Sequence, residues 1–157
     1  MGGDPNTTAY TQLRFYNRDE TALMAATYSV ANPDDTRCME LLLESGADVN
    51  ATTKSSRGGI LTDALPDYKR VLILLEHGAD PETKVYSYHV DSLISLPEQM
   101  RYHDFPLNSE DYRYKRKVID FLKRKGIDYY SYPIPEKMME EIKKRYPLNW
   151  RRYAEVY

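Results

Sequence analysis

The sequence predicts an all-α fold, a short solenoid of about three helix-turn-helix repeats followed by a C-terminal helical cap. The first observation is an internal copy: residues 41–48 (LLLESGAD) recur 32 positions later as residues 73–80 (ILLEHGAD). A weaker copy lies at residues 121–128 (FLKRKGID). Each copy is an apolar stripe followed by glycine, which can end a helix in the left-handed conformation. Repetition at this period is typical of stacked helical units.

A second motif precedes each stripe, and we interpret it as the first helix of each repeat. Its copies contain small residues and large apolar side chains, and they lie at residues 21–26, 59–64 and 91–96. Leu61 and Leu93 are 32 residues apart, the same spacing that separates the first two stripes. Because two landmarks keep one register, the sequence predicts three repeats within a single domain. They span about residues 19–51, 52–84 and 85–130, and the cap covers residues 131–157.

These residues resemble the ankyrin repeat, whose second helix ends in the pattern LLLExGADVNA. Residues 41–51 match that pattern throughout, and residues 74–80 match its centre. The first helix matches less well, because Ala22 and Met24 stand where the family has proline and histidine. The resemblance implies paired helices with protruding β-turns, here called fingers. It also implies a concave face, formed by the fingers and the first helices, that typically binds protein.

The connections and the two ends are also predicted. The largest insertion, at about residues 97–111, contains two prolines and an asparagine, which predict a loop or short turns. Residues 135–146 predict a capping helix, because proline lies in the first turn, acidic residues come early and basic residues come late. The cap gives the last repeat a polar outer face. Residues 9–16 are interpreted as a shorter N-terminal cap or half repeat.

Composition excludes several classes of protein. Hydrophobic residues make up 41% and charged residues 29% of the 157 positions, which argues against a disordered or fibrous chain. The single cysteine, Cys38, excludes an internal disulfide and a cysteine-based zinc cage. The longest apolar runs are too short to span a bilayer, and the start lacks the pattern of a signal peptide. We therefore expect a cytoplasmic monomer without a membrane partner.

Catalysis, a metal site and a cofactor are not expected from the sequence. None of the three histidines has the three- or four-residue spacing to another histidine or cysteine that a helical metal pair requires. The histidines are His77, His89 and His103. We interpret His77 as a residue near a helix C-terminus and Cys38 as a small buried hydrophobic residue. Asp34 and Asp35 are interpreted as helix N-caps, so the chain is not predicted to be an enzyme.

Charge divides the chain into two unequal parts. Residues 1–100 contain 8 basic and 15 acidic side chains, whereas residues 101–157 contain 14 basic and 9 acidic ones. Basic residues interleaved with tyrosine can neutralise phosphates and stack on bases, so nucleic-acid binding is the alternative function. Its candidate residues are Tyr102, Tyr112, Arg113, Tyr114 and Lys115. The competing interpretation is a solvated helix face, because apolar residues at 118–122 mark the opposite face as buried.

The main candidate site lies on two neighbouring fingers, at residues 53–57 and 85–89. The second contains Tyr-Ser-Tyr-His, a mixture of rigid aromatic and small polar side chains like that of antibody loops. A purely structural β-turn with stacked tyrosines is the alternative interpretation. The candidate partner-binding residues are Lys54, Arg57, Tyr86, Tyr88 and His89. We predict a non-catalytic module that binds a partner protein through the concave face and inserted loops, as an inhibitor, an immunity-type protein or an adaptor.

Overall fold

The computed structural model describes residues 3–13, 16–28, 36–54 and 57–157. These parts of the chain are mostly helical, which agrees with the predicted class. They also contain two two-stranded β-hairpins, which the predicted all-α class does not include. The second hairpin lies at the predicted finger 85–89, where alternating residues pair across a turn instead of continuing a helical period, and the first hairpin pairs residues 8–13 with residues 16–21.

The elements follow one another in the order hairpin, four helices, hairpin, four helices. The first hairpin pairs β1 (Thr8–Leu13) with β2 (Tyr16–Thr21) in antiparallel register. The next four elements are α1 (Ala22–Thr27), α2 (Arg37–Glu44), α3 (Gly59–Ala64) and α4 (Tyr68–Glu76). The second hairpin pairs β3 (Val85–Ser87) with β4 (Ser92–Ile94). The last elements are α5 (Leu96–Met100), α6 (Glu110–Arg124), a 3₁₀ turn (Tyr129–Ser131), α7 (Glu136–Arg145) and α8 (Trp150–Val156).

Helices α2, α4 and α6 end in the same geometry. Gly46, Gly78 and Gly126 follow them with φ angles of 85°, 93° and 82°. After α2, Gly46 N–H donates to Leu43 O at 3.0 Å, and Ala47 N–H donates to Leu42 O at 3.0 Å. The equivalent pairs of bonds follow α4 and α6. This pair of backbone hydrogen bonds needs a residue in the left-handed conformation. The predicted helix-ending roles of Gly46 and Gly78 are therefore confirmed.

Asparagine side chains connect successive turns. Asn50 Nδ2 donates to Gly78 O at 3.0 Å, while Asn50 Oδ1 accepts from Asp80 N–H at 3.0 Å. Asn6 makes the same pair of bonds one unit earlier, to Gly46 O at 3.3 Å and from Asp48 N–H at 2.6 Å. The segment from residue 4 to α1 therefore occupies the position of a finger. Residues 9–13 and 16, within the predicted N-terminal cap or half repeat, lie on the strands of its hairpin.

One continuous core runs through α1 to α6. Leu74 and Leu122, at equivalent places in the second and third copies of the repeated stripe, are fully buried in it, whereas Leu42, at the same place in the first copy, is only partly buried. The buried positions of α2 belong instead to Met39 and Leu43. A smaller cluster lies between α7 and α8 and is centred on the buried side chains of Ile142, Tyr153 and Tyr157.

The helix after the second hairpin begins later than the spacing predicted. Leu93 lies on β4 and is 50% exposed, so it is not equivalent to the buried Leu61. Ser95 caps α5 by accepting from Glu98 N–H at 3.4 Å, as Thr21 caps α1 by accepting from Met24 N–H at 3.2 Å. Because α5 extends to Met100, the predicted insertion at 97–111 is partly helical. A serine N-cap with proline in the first turn set this boundary.

Single-residue predictions have mixed outcomes. Cys38 is exposed, which is opposite to the prediction, because one residue along a helix rotates the side chain by about 100° and Met39 faces the core instead. His77 is the C-cap of α4, and its Nδ1–H donates to Ile73 O at 2.8 Å, as its predicted position implies. Asp34 and Asp35 lie outside the described residues.

Candidate functional site: the finger surface

Thr62 on α3 joins the two candidate fingers. Its Oγ1 donates to Gly58 O at 2.9 Å and accepts from Tyr86 N–H at 2.9 Å. Gly58 has a φ angle of 86°, and a Cβ atom there would lie 2.6 Å from Tyr86 N. The two fingers therefore approach so closely that only glycine fits at this position.

Three candidate residues of the two fingers, Arg57, Tyr86 and Tyr88, lie in contact with one another. The Arg57 guanidinium lies 5.3 Å from the ring centroid of Tyr86, and the rings of Tyr86 and Tyr88 meet edge to face at 4.9 Å. The Tyr86 hydroxyl donates to the Asp91 carboxylate, and this hydrogen bond raises the pKa of Tyr86. We call the set Lys54, Arg57, Tyr86, Tyr88 and His89 the finger surface.

The finger surface extends to a residue that the sequence assigned to the alternative site. The rings of His89 and Tyr102 stack at 4.7 Å with only 8° between their planes. Tyr102 follows α5 directly, so the segment after α5 packs against the tip of the β3–β4 hairpin. The structure thus brings the two predicted sites together at this point.

Two aliphatic residues beside the finger surface escaped the sequence prediction. Val90 is 45% exposed and Leu93 is 50% exposed, next to Tyr88, which is 84% exposed. Leu93 is the cross-strand partner of Tyr86, so the two side chains share one face of the hairpin. Alternation of side chains along the two strands could have indicated this exposure. Val85 and Ile94 form a buried cross-strand pair, so the next pair, Tyr86 and Leu93, faces the opposite side of the hairpin.

The other alternative residues lie on α6 and differ in their accessibility. Arg113 is exposed, and Tyr114 is half-buried with Lys117 Nζ 4.6 Å from its ring centroid. The Tyr112 hydroxyl donates to Val156 O at 3.2 Å, and burial raises the pKa of that hydroxyl. Lys115 is 1% exposed, which corrects its placement among surface residues. It lies on the same side of α6 as the apolar residues that face the core.

Lys115 belongs to a buried group that we call the cap cluster: Arg101, Lys115, Tyr129 and Tyr157. The Arg101 guanidinium lies 4.0 Å from the Tyr129 ring centroid, and Lys115 Nζ lies 4.3 Å from that of Tyr157. The Tyr129 hydroxyl donates to Tyr157 O at 2.5 Å, and the Tyr157 hydroxyl donates to Arg101 O at 3.0 Å. The cluster fastens the end of the chain to the segment between α5 and α6.

Burial controls the protonation of this region. Desolvation, together with the nearby Arg101, lowers the pKa of Lys115 to about 7. Its Nζ donates to His103 O at 2.8 Å. Desolvation also lowers the pKa of His103 to about 3, so this ring is neutral, and its Nδ1 lies 2.7 Å from the Tyr68 hydroxyl. Lys115 is 1% exposed and His103 is half-buried, so both groups are partly or fully removed from solvent.

The described residues contain neither a group of side chains placed to bind a metal ion nor a helix that could span a membrane. No group of three or more histidine, cysteine, aspartate or glutamate side chains in these ranges is placed to hold a metal ion. Across the same ranges, every helix is too short or too polar to cross a bilayer.

Paired helices, repeated glycine helix ends and asparagine-bridged turns define a helical repeat protein. Residues 18–54 match the family model of the ankyrin repeat, so the predicted resemblance is confirmed over those residues. Ankyrin repeats generally mediate protein–protein interaction and are non-catalytic. Comparison with curated proteins and with solved structures gives no significant match.

Proposed function

We propose that the protein is a cytoplasmic, non-catalytic module that binds a partner protein through the finger surface and the adjoining segment after α5. One observation carries the proposal: arginine and tyrosine from two successive fingers form a single exposed patch. Such side chains supply most of the binding energy at protein interfaces. A chain of this size that binds through one face acts as an inhibitor, an immunity-type protein or an adaptor.

The proposed architecture is a monomeric solenoid of about three repeats with a C-terminal cap. The glycine helix ends after α2, α4 and α6 support it, because each repeats the same pair of backbone bonds. Packing of α4 against both α3 and α6 also supports it, since stacked repeats contact only their neighbours.

The test compares the double variant Tyr86→Ala, Tyr88→Ala with the parent chain. The partner is first isolated from the native source by affinity capture and mass spectrometry, then purified. We expect the double variant to lose about 30-fold or more in affinity, the scale of a lost hot spot. Tyr130→Ala is the control, because Tyr130 is 44% exposed and lies outside the finger surface. Unchanged affinity in the double variant, with an unchanged melting temperature, refutes the proposed site.

Nucleic-acid binding by the basic C-terminal third is the alternative proposal. It loses Lys115 as a contact residue, because that side chain is buried. This alternative predicts a steep fall in affinity as the salt concentration rises, because contacts to phosphates release counterions. Titration of a labelled oligonucleotide at two salt concentrations distinguishes the two proposals.

A further inference from the structure

We propose that the finger surface binds an acidic segment of its partner protein, with a carboxylate on Arg57 and an apolar side chain against Tyr88 and Leu93. This inference rests on the proposed function and adds the chemical class of the partner. Charge and exposed apolar area at the hairpin carry it.

The local charge at the fingers is opposite to that of the surrounding half of the chain. Lys54, Arg57 and Lys84 are all exposed there. Lys84 O lies 3.0 Å from the Cβ position of Gly58, so Lys84 adjoins the residue after Arg57. The carboxylate at the hairpin tip, Asp91, already accepts the Tyr86 hydroxyl. Within residues 53–57 and 84–91 these three cations outnumber the one carboxylate, Asp91, although residues 1–100 are acidic as a whole.

Arg57 is an exposed cation that can bind a carboxylate. Its guanidinium lies over the Tyr86 ring, and within the described residues it forms no ion pair. The planar fork of N–H groups on a guanidinium can hold both oxygens of a carboxylate. Because the ring already restricts the side chain, less conformational entropy is lost on binding.

The apolar part of the surface lies on the same hairpin. Tyr88, Val90 and Leu93 are exposed by 84%, 45% and 50%. Three large apolar side chains within six residues of a short hairpin leave a patch that the fold itself does not cover. Exposed patches of this kind mark interaction sites. An acidic segment with at least one large apolar residue complements both the positive charge of the fingers and the exposed apolar patch.

The ring contacts favour a protein ligand over a nucleic acid. Base stacking needs a free aromatic face. Arg57 lies over one face of Tyr86, and His89 and Tyr102 stack on each other, so among the rings of the finger surface only Tyr88 offers a largely open face. The aliphatic side chains of Val90 and Leu93 offer contact to apolar residues, not to bases.

The probe is a displayed library of random peptides, selected on the full chain. Selection against the Tyr86→Ala, Tyr88→Ala double variant removes peptides that bind elsewhere. We expect the surviving sequences to be rich in aspartate and glutamate and to contain a large apolar residue. An enriched peptide is then synthesised, and its affinity for the parent chain and its variants is measured by fluorescence anisotropy.

The variants separate charge from apolar contact. We expect Arg57→Gln to weaken the peptide by about tenfold or more, since an interfacial charge pair is broken. Arg113→Gln is the matched control, because Arg113 is exposed on α6. Leu93→Ser should also weaken the peptide. Its control is Leu148→Ser, at a residue that is 93% exposed and distant in sequence from the hairpin.

Each outcome decides between the two proposals. Acidic peptides that lose affinity with Arg57→Gln and Leu93→Ser, but not with the controls, support the inference. Basic or neutral peptides that still need the two tyrosines overturn the inference and leave the proposed function intact. If no peptide survives the selection against the Tyr86→Ala, Tyr88→Ala double variant, the proposed function itself is overturned. A labelled single-stranded oligonucleotide that binds more tightly than the peptide and competes with it overturns the inference in favour of nucleic acid.

Discussion

The finger surface and the cap cluster use the same chemistry in opposite surroundings. In the finger surface the Arg57 guanidinium lies 5.3 Å from the Tyr86 ring centroid, with Arg57 exposed and Tyr86 half-buried. In the cap cluster the Arg101 guanidinium lies 4.0 Å from the Tyr129 ring centroid, and both residues are buried. A cation over a tyrosine ring is therefore open to solvent at one place, where we propose that it serves binding, and is part of the buried interior at the other.

Solvent explains the difference between the two regions. At the fingers water solvates the charges, so the cation–ring contact adds little to folding and the surface stays available to a partner. In the cap cluster the rings partly replace the lost water. Desolvation lowers the pKa of Lys115 and raises the pKa of Tyr129. Asp104 strengthens the same junction, because it accepts from the Tyr153 hydroxyl at 2.7 Å and pairs with Arg145.

The largest expected effect comes from removing the ring at the centre of the cap cluster. Tyr129→Ala deletes a side chain that is 1% exposed and leaves a cavity beside two buried cations. We expect a loss of about 3–5 kcal/mol in the free energy of unfolding, as for other large aromatic truncations. Urea denaturation followed by circular dichroism measures it. A loss no larger than that of Tyr86→Ala contradicts the proposed contrast between the two regions.

The second prediction concerns pH. Below about pH 7 Lys115 is protonated in both states, and the folded state carries the full cost of its burial. Between about 7 and the usual lysine pKa of 10.5 the unfolded chain holds a proton that the folded chain has released, so stability rises with pH. Lys115→Met should flatten that rise and stabilise the protein at pH 6 by about 1–4 kcal/mol.

Neighbouring groups set the pH window for this test. The groups around the Lys115 ammonium are Arg101, His103, Asp104, Tyr129 and Tyr157. The lowered pKa of His103 affects stability only below the usual histidine value of 6.5, and the raised tyrosine pKa values act only above 10. Urea midpoints at pH 7, 8 and 9 therefore isolate Lys115. Lys117→Met, which changes an exposed lysine, is the control. An equal slope in Lys115→Met and the parent refutes the assignment.

Local chemistry explains which parts of the fold could be predicted. A glycine that follows an apolar helical stripe commonly ends the helix in the left-handed conformation, so the positions of Gly46 and Gly78 could be predicted. Leu93 was misplaced because a three-residue strand and the start of a helix look alike in a short apolar segment. Its strand forms because Tyr86 pairs with it across a turn, a contact that helical periodicity does not show.

The candidate site was predictable only where composition carried the information. Tyr86 and Tyr88 stand out because rigid aromatics alternate with small polar residues on a finger. The cap cluster was missed because the burial of Lys115 depends on Tyr157, 42 positions later in the chain. A run of basic residues predicts solvation, and only long-range packing of the C-terminal residue reverses that expectation.

The third prediction tests how Gly58 positions the finger surface. Gly58→Ala adds a Cβ atom 2.5 Å from Thr62 Oγ1 and 2.6 Å from Tyr86 N, so β3 must shift. We expect a loss of about 1–2 kcal/mol in stability, in addition to weaker peptide binding. The matched control is Gly46→Ala, where φ is 85° but no atom lies within 4 Å of the new Cβ. If both variants bind the peptide equally well, Gly58 does not position Tyr86.

The smallest expected effect is on the stability of Tyr88→Ala. Its ring is 84% exposed and meets Tyr86 edge to face, so truncation leaves no cavity and strands no buried polar group. We expect the free energy of unfolding to change by no more than about 0.5 kcal/mol, as for other surface substitutions. The same urea titration that measures Tyr129→Ala provides the value. A loss above about 1.5 kcal/mol would exceed the worth of an exposed aromatic pair. Such a loss would show that Tyr88 stabilises the hairpin itself. The proposed difference between Tyr88, which leaves folding unchanged, and Tyr129, which stabilises the fold, would then be wrong.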